Sequence, residues 1–253
     1  MTLDLRGILH QGLKAPLPLR KYRPGPQRHA VSGGVVLTAS DEDKEGMFSS
    51  AIVFEPLTPE QFFATIGAFF HPGQAFSVTV EDGEAPELEE ALRQHGWQLD
   101  EEEPALVLAP IPPAIPPAPA ELAISLVSDE QGLADFRSIT RMPPQIIPSL
   151  AAATDPAVAL LVGRVAGAPV ATGRLSRLGT VADITSITTV PTARRRGYGT
   201  AITWAVIAEA ARRGCTSAML TATEMGYPVY VRMGFQPVTS YRTYILPDAP
   251  AEG

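Results

Sequence analysis

Cysteine, histidine and positive charge are all scarce in this chain of 253 residues. Cys215 is the only cysteine, so no intramolecular disulfide can form and a cytoplasmic location is expected. The four histidines all lie in the N-terminal half, at spacings that do not predict a metal site. The formal net charge of −7 argues against nucleic-acid binding, which usually comes with a basic excess.

Long apolar runs are also missing. No stretch reaches the roughly 18 residues that a membrane-spanning helix needs, so no membrane partner is expected. The first residues, from Met1 to Arg6, lack an apolar segment followed by a small-residue cleavage site, so a secretory signal is not expected. Hydrophobic residues still make up 45% of the chain, which is enough for one large folded domain or two small ones.

Proline, by contrast, is abundant between Pro110 and Pro119. Proline at this density cannot sustain helical or sheet hydrogen bonds and favours an extended segment. We interpret residues 111–120 as a semi-rigid linker between an N-terminal half, 1–110, and a C-terminal half, 121–253. The first twenty or so residues, which also contain several prolines, are interpreted as an irregular lead-in.

Strand and helix patterns alternate in the C-terminal half. A strand at 122–127 and helices at 129–140 and 148–153 come first, followed by strands at 157–165, 170–175 and 181–189. Short glycine-containing turns join the last three strands, which predicts an antiparallel meander. A helix at 199–213, a strand at 216–221, a short helix at 228–233 and a last strand through 241–246 complete the pattern.

The N-terminal half repeats part of this pattern. Strands at 51–54, 76–80 and 105–108 alternate with helices at 59–70 and 86–95, and Gly96-Trp97 aligns with Gly234-Phe235. The pattern indicates a degenerate duplication. This half has no glycine pair after its strand at 51–54, and Leu92 takes the place of Tyr230, so no second active site is expected. The apolar helix at 59–70 either packs in a core or covers the substrate side of the C-terminal half.

The loop at Gly197-x-Gly199 is the strongest chemical signal. It follows a predicted strand and opens a predicted helix, whose first N–H groups are unpaired and whose dipole favours anions. Glycine lets a ligand approach the backbone closely, and Arg194, Arg195 and Arg196 add positive charge. A pyrophosphate would fit here, although the residues alone also allow an ordinary strand-to-helix turn.

Residues Arg194 to Gly199 resemble the [R/Q]-x-x-G-x-[G/A] motif of the GNAT superfamily of acyl-CoA N-acyltransferases. The segment from Tyr230 to Phe235 resembles the Y-x-x-x-G-F ending of the same family, and the resemblance covers 122–246. It implies an α/β (α+β) fold with a mixed, mostly antiparallel sheet flanked by helices. Residues 121–253 would form the N-acetyltransferase domain and 1–110 a degenerate GNAT-like half, as in one bacterial subgroup of the family.

The resemblance also implies how acetyl-CoA would bind as cosubstrate, with no metal. Backbone N–H groups from Arg195 to Thr200 would hold the pyrophosphate, the edge of the strand at 187–189 would pair with the pantetheine arm, and the Ile187 N–H would face the thioester carbonyl. The implied cofactor-binding residues are Ile187, Thr188, Thr189, Arg194, Arg195, Arg196, Gly197, Tyr198, Gly199 and Thr200.

Two catalytic residues are implied. Tyr230 matches the tyrosine that protonates the leaving thiolate in many relatives, and an aromatic anchor of its short helix is the other interpretation. Asp183 falls where histone-acetylating relatives place a glutamate base, and in an unbulged strand its side chain shares a face with Ile187. A solvated strand-end carboxylate remains the other interpretation of Asp183, and Glu224 is a second acidic candidate.

The expected function is transfer of acetyl from acetyl-CoA to a primary amine of a small molecule or peptide by direct attack. Two alternatives stay open: an acyl-CoA sensor without catalysis, and a structural protein in which Gly197 and Gly199 form an ordinary turn. The sequence does not identify the acceptor, and homodimer formation also stays open.

Overall fold

A computed structural model describes residues 3–247 of the chain. The helices are α1 (Leu5–Lys14), α2 (Pro59–Phe69), α3 (Pro86–Gln94), α4 (Glu130–Thr140), α5 (Leu150–Ala153), α6 (Tyr198–Arg212) and α7 (Tyr227–Arg232). The strands are β1 (Gln27–Ser32), β2 (Val35–Ser40), β3 (Ser50–Val53), β4 (Ser77–Glu81), β5 (Gln98–Leu108), β6 (Leu122–Leu126), β7 (Val158–Val165), β8 (Ala168–Leu178), β9 (Val181–Thr189), β10 (Ser217–Thr221) and β11 (Gln236–Ile245). Two 3₁₀ helices span Pro18–Tyr22 and Pro191–Ala193.

These elements form two compact units. The first unit contains the described residues up to Arg23 together with Leu106–Val238. The second contains Pro24–Ala105 and the described residues from Thr239 onward. The fold is mixed α/β with a mostly antiparallel strand arrangement flanked by helices, which confirms the predicted fold class.

In the first unit, β6, β7, β8 and β9 form the predicted antiparallel meander. Strand β10 then pairs parallel with β9, because the intervening helix α6 carries the chain back across the sheet. One face of these strands packs against α6 through Ile202, Val206 and Ile207, all fully buried. The other face carries a second core that includes Phe136 of α4 and Leu160 of β7.

Helix α1 replaces the irregular lead-in that the prolines suggested, so that prediction is wrong. The Asp4 side chain accepts a hydrogen bond from the Gly7 N–H at 2.8 Å and caps the helix, which ends shortly before Pro16. Gly12 allows close packing, since a Cβ there would lie 2.5 Å from the Met219 sulfur of β10. Helix α1 therefore packs against β9 and β10, and this burial places the N-terminal residues in the first unit.

The second unit is built from β1 to β4 with the end of β11. Strands β1, β2 and β3 are antiparallel, and β3 pairs parallel with β4 after the crossover through α2. Phe62, Ile66 and Phe70 lie in the core of this unit, so the apolar face of α2 is used for packing. The β1–β2 hairpin was not predicted, although its Gly33-Gly34 turn, with φ of 52° and 80°, is a typical hairpin signal.

The order of elements in the second unit repeats that of the first, with α2, β4 and α3 in the places of α6, β10 and α7. The boundaries differ from the predicted 1–110 and 121–253, because β11 ends in the second unit. Its residues 241–245 pair antiparallel with β4, and Tyr244 donates to the buried Glu89 of α3 at 2.5 Å. Residues 109–120 are free of helix and strand, and the Ile111 N–H donates to the Thr216 carbonyl at 2.9 Å.

None of the helices within residues 3–247 combines the length and the apolar character that a membrane crossing needs.

Candidate active site

A groove opens in the first unit where β9 and β10 separate. The parallel ladder between these strands pairs 217–219 with 181–183 and ends at Asp183 and Met219. Beyond that point a cavity of about 800 Å³ lies between β9, the start of α6 and α7. Its lining residues are Ile187, Thr188, Thr189, Ala193, Arg194, Arg195, Gly197, Tyr198, Gly199, Thr200, Thr223, Met225, Gly226, Val229, Tyr230 and Arg232. The structure thus brings nearly all of the residues predicted for acetyl-CoA binding into one cavity.

The start of α6 has the features of an anion site. Gly197 is the N-cap residue, with a left-handed φ of 78°, and no side chain caps the helix. The N–H groups of the first turn therefore remain without the side-chain partner that closes most helices. Gly199 brings the backbone close to β9, since a Cβ there would lie 3.3 Å from the Thr189 hydroxyl. A phosphate group fits this cradle by charge and by space.

The three consecutive arginines have different surroundings. Arg194 donates through Nε to the Thr189 carbonyl at 3.2 Å, and both Arg194 and Arg195 line the groove. Arg196 does not line the groove. The pKa of the Glu121 carboxyl is lowered mainly by hydrogen bonds from its own backbone N–H and from the Tyr198 hydroxyl, and the Arg196 charge lowers it further. Only the backbone of Tyr198 is available to a ligand, because its ring is buried and its hydroxyl donates to Glu121 at 3.0 Å.

Strand β9 contains a bulge between the two ends of its ladder with β8. The register shifts where β9 supplies one extra residue, and Ser186 there has a φ of 55°. The Ile187 side chain lies toward α6, since a Cβ on Gly173 would be 2.9 Å from it and 2.7 Å from Val206. A bulge reverses the alternation of side chains, so Asp183 points to the opposite face. The shared face of Asp183 and Ile187 was expected only for an unbulged strand, and the bulge removes that condition.

Asp183 is not a solvated strand-end carboxylate. It is half-buried, and burial raises its pKa to about 6, although the nearby Arg174 charge acts in the opposite direction. Among the described residues its carboxylate has no hydrogen bond or ion pair within 4 Å. A carboxyl group of this kind is deprotonated at neutral pH and can accept a proton readily.

Tyr230 lies in the groove on α7, packed edge-on against Phe235 at 5.8 Å between ring centroids. Its ring also lies close to Gly226, where a Cβ would be 3.0 Å from the ring edge. Neither Asp183 nor Glu224 is among the residues that line the cavity, and the two differ in burial, since Glu224 is exposed and Asp183 is half-buried.

Sequence reasoning missed several groove residues on the α7 side. Met225, Val229 and Arg232 line the cavity beside Tyr230, and Arg232 adds a third exposed arginine there. The signal was available, since Val229 and Arg232 flank the tyrosine of the Tyr230 to Phe235 motif. Their contribution needed the helix geometry, because residues three apart on a helix share a face.

Other reactive groups lie elsewhere. Cys215 is buried in the core of the first unit, and burial raises the pKa of its thiol, which suits a packing role. Across residues 3–247, no cluster of three or more His, Cys, Asp or Glu side chains is arranged to hold a metal ion.

Comparison with known proteins agrees with this geometry. Residues 130–235 match the model of the acetyltransferase (GNAT) family, a range that begins at α4 and ends just before β11. Residues 130–235 of this chain therefore form a domain of the acetyltransferase (GNAT) family. The family match supports an enzyme of the acetyltransferase class. A search of curated proteins found no sequence match.

Solved structures of GNAT proteins share the fold over nearly the whole chain. A GCN5-related N-acetyltransferase from Kribbella flavida has a TM-score of 0.74 at 21% identity, covering 99% of this chain and 98% of that one. A putative GNAT acetyltransferase from Novosphingobium aromaticivorans has a TM-score of 0.57 at 16% identity, covering 93% and 99%. A tandem GNAT protein of the clavulanic acid biosynthesis pathway has a TM-score of 0.60 at 13% identity, covering 98% and 96%. A two-half arrangement of this GNAT member thus has precedent.

Proposed function

We propose that this GNAT protein transfers an acetyl group from acetyl-CoA to a primary amine by direct attack. The observation that carries the proposal is the single groove that joins the uncapped start of α6 to Ile187 and Tyr230. One end of the groove suits a phosphate, and the other end lies beside a candidate acid and the parted strands. These are the requirements of a long anionic thioester with its reactive end between β9 and β10.

The chain offers matching groups for each part of acetyl-CoA. The first-turn N–H groups of α6, with Arg194 and Arg195, would hold the pyrophosphate. The edge of β9 that faces β10 beyond Asp183 lies outside the β9–β10 ladder, so it offers backbone groups to the pantetheine arm. The Ile187 N–H would stabilise charge on the thioester oxygen, and losing such a donor typically costs ~10²–10³ in rate.

The chemistry needs two proton movements. The acceptor arrives mostly as an ammonium, whose pKa is near 10.4 in a lysine-like amine. Asp183 would take its proton, directly or through a water, so that the nitrogen can bond to the thioester carbon. The carbon–sulfur bond then breaks, and Tyr230 would give a proton to the leaving thiolate and regain one from the acylated nitrogen. No covalent bond to the enzyme is required. The buried single cysteine is consistent with the expected cytoplasmic location.

An acetyl-CoA thiol-release assay over an amine panel tests the proposal. The panel would include amino acids, polyamines, aminoglycosides and peptide N-termini, each paired with its pre-acetylated form as a blank. We expect thiol release with at least one class and mass-spectrometric detection of its N-acetyl product. Acetyl-CoA binding without thiol release over the whole panel would instead support a sensor. Absence of binding by the folded chain would leave only the structural alternative.

A further inference from the structure

Arg174 and Asp183 form a pair of opposite charges beside the bulge of β9. In the β8–β9 ladder Thr185 lies opposite Arg174, and Ser176 lies opposite Asp183. Directly opposite residues share a face of a sheet, and so do residues two apart on one strand. Arg174, Thr185 and Asp183 therefore share the face that is turned away from α6.

Two helices cover the flanks of this face. Helix α1 packs near Val181 and Met219, which share the face of Asp183, and α4 packs against β7, β8 and β9. The face is otherwise apolar beneath α4, where Phe136 and Leu160 form the core. Among the described residues, the one hydrogen-bonding partner of this charged pair is Thr185, so the protein itself leaves most of the pair's hydrogen-bonding capacity unused.

Most of the N–H donors of the Arg174 guanidinium have no partner among the described residues. Its Nε donates to the Thr185 hydroxyl at 2.7 Å, and within the part of the chain that the structure describes this is its one hydrogen bond. No carboxylate lies within 4 Å of it there, Asp183 included. Its two terminal nitrogens keep some solvent access, because neither is among the sealed, unpartnered side-chain atoms of this range. Burial lowers the pKa of Arg174, which reflects the cost of holding this cation away from water.

A half-buried guanidinium with one neutral partner is normally matched by an anion. Asp183 is not this anion, because its carboxylate oxygens lie more than 4 Å from the guanidinium and so cannot accept the two parallel N–H hydrogen bonds that Arg174 can donate. An external carboxylate could accept them, and it would leave Asp183 available to an ammonium group. The diagonal placement of the two residues across the strands suits an amine and a carboxylate that are only a few bonds apart.

We infer that the acceptor is an amino-acid-like molecule, whose carboxylate binds Arg174 while its ammonium group faces Asp183. This inference deepens the proposed function and rests on it. Arg174 is here a specificity-determining residue that acts on the part of the acceptor that does not react. Asp183 receives the ammonium proton, and the rest of the transfer is as described above.

Matched pairs of acceptors test the inference directly. Each pair contains an amino acid and the same molecule without its carboxylate, such as phenylalanine with phenethylamine, alanine with ethylamine and lysine with cadaverine. Amino-acid amides keep the size but lose the charge. We expect kcat/KM to favour the carboxylate-bearing partner roughly 10- to 100-fold in at least one pair, as for a charge-assisted hydrogen-bonded pair.

Variants of Arg174 then assign the preference to this side chain. Arg174→Met should remove most of the preference by weakening only the carboxylate-bearing substrates, and Arg174→Lys should restore part of it because the charge returns without the fork. Arg177→Met is the matched control, since Arg177 is exposed and, three residues further along β8, points to the opposite face of the strand. Calorimetry with acetyl-CoA alone shows that each variant still folds and binds its cosubstrate.

Three outcomes separate the two proposals. A preference that disappears in Arg174→Met and persists in Arg177→Met supports the inference. Equal rates for both members of every pair, or a preference that survives Arg174→Met, overturn the inference and leave the acetyltransferase proposal standing. Failure to acetylate any amine, with acetyl-CoA bound normally, overturns both.

Discussion

The two units begin their crossover helices in opposite ways. In the first unit α6 starts at Gly197 with a left-handed N-cap and no side-chain cap. In the second unit α2 starts with a complete capping box, in which the Gln61 side chain accepts from the Thr58 N–H at 2.9 Å and the Thr58 hydroxyl accepts from Gln61 at 3.3 Å. A helix that satisfies its own first N–H groups has none to offer a phosphate.

The difference extends to charge and to the residue at the active end. Helix α2 has Glu60 in its first turn, where hydrogen bonds from its own backbone N–H and from Thr58 lower the pKa of the carboxyl group. The fully buried Leu92 occupies the place of Tyr230. The same element order thus places a groove that suits a phosphate at the start of α6, whereas the cavity at the start of α2 is lined by Glu60, Glu87 and Glu90. The two helix starts therefore differ in their glycines, their capping and the charge of their first turn.

The largest expected effect removes the phosphate cradle. Gly197→Glu adds bulk and negative charge at the start of α6, and it also strains a left-handed position. Like-charge repulsion of several kcal/mol predicts a loss of acetyl-CoA affinity of roughly 100-fold or more, measured by competition binding. Gly33→Glu is the control, because Gly33 also has a positive φ with open space around it but lies in the second unit. Retained affinity in Gly197→Glu would contradict the assigned site.

Removing the candidate base is the next effect in size. Asp183→Asn should lower kcat/KM by about 10²-fold, a usual contribution of a general base. In the intact enzyme kcat/KM should fall as the pH drops through about 6, since only the deprotonated carboxylate accepts a proton. The steady-state pH profile checks both statements. A variant that keeps the limb near pH 6 would remove Asp183 from the mechanism.

Asp183 should lower the stability of the fold at neutral pH, although it is expected to raise the rate. Its folded pKa of about 6 lies above the ~3.9 of an unfolded aspartate, so ionisation of this group opposes folding. Its stabilising contribution is complete below about pH 4 and is lost as the pH rises through about 6. Asp183→Asn should therefore raise the free energy of unfolding at pH 8 by about 1–3 kcal/mol. Denaturant titration at pH 4 and pH 8 would detect the change, and a lower stability at pH 8 would argue against the buried, raised-pKa assignment.

A smaller effect on rate separates two of the buried tyrosines, Tyr230 and Tyr244. Tyr230→Phe should lower kcat about 10- to 100-fold with acetyl-CoA affinity nearly unchanged, because water can replace part of the proton donation. Tyr244→Phe, in the second unit, loses a hydrogen bond to the buried Glu89 and should lower stability without lowering kcat. Rapid-mixing measurements and thermal unfolding distinguish these outcomes. Equal kcat values for wild type and Tyr230→Phe would exclude Tyr230 as the acid.

The smallest effect concerns the cap of the second unit. Thr58→Ala opens the capping box and should cost about 1 kcal/mol of stability. Acetyl-CoA binding and turnover should stay at the wild-type level, because the cavity of about 720 Å³ beside this helix start is lined by Glu60, Glu87 and Glu90, whose charges oppose a phosphate. Calorimetric unfolding with parallel activity measurements tests this, and a change in acetyl-CoA stoichiometry would show that the cap alone closes a second site.

Much of the fold and of the groove was predictable from the sequence. The strands and helices from Leu122 onward, and the glycine loop at Gly197, carry strong local patterns that tertiary packing only refines. Helix α1 was not predicted, because the prolines that follow it indicate irregular structure and outweighed the Asp4 cap and the apolar spacing. The shared strand β11 could not be foreseen, since its pairing with β4 depends on contacts far apart in sequence.

The bulge in β9 was the decisive feature that the sequence does not reveal. Ser186 adopts a left-handed conformation without being a glycine, so no residue type announces it. One inserted residue moves Asp183 to the face away from α6, beside Arg174. The acceptor inference therefore depends on a feature that only the structure provides.

The most direct test of the central claim is the stoichiometry of acetyl-CoA binding. Isothermal titration of the full chain should give one acetyl-CoA per chain, a value that Thr58→Ala leaves unchanged and Gly197→Glu removes. Two sites per chain would show that the second unit retained a cosubstrate groove. No binding to the folded wild-type protein would contradict the assignment of the groove at Gly197.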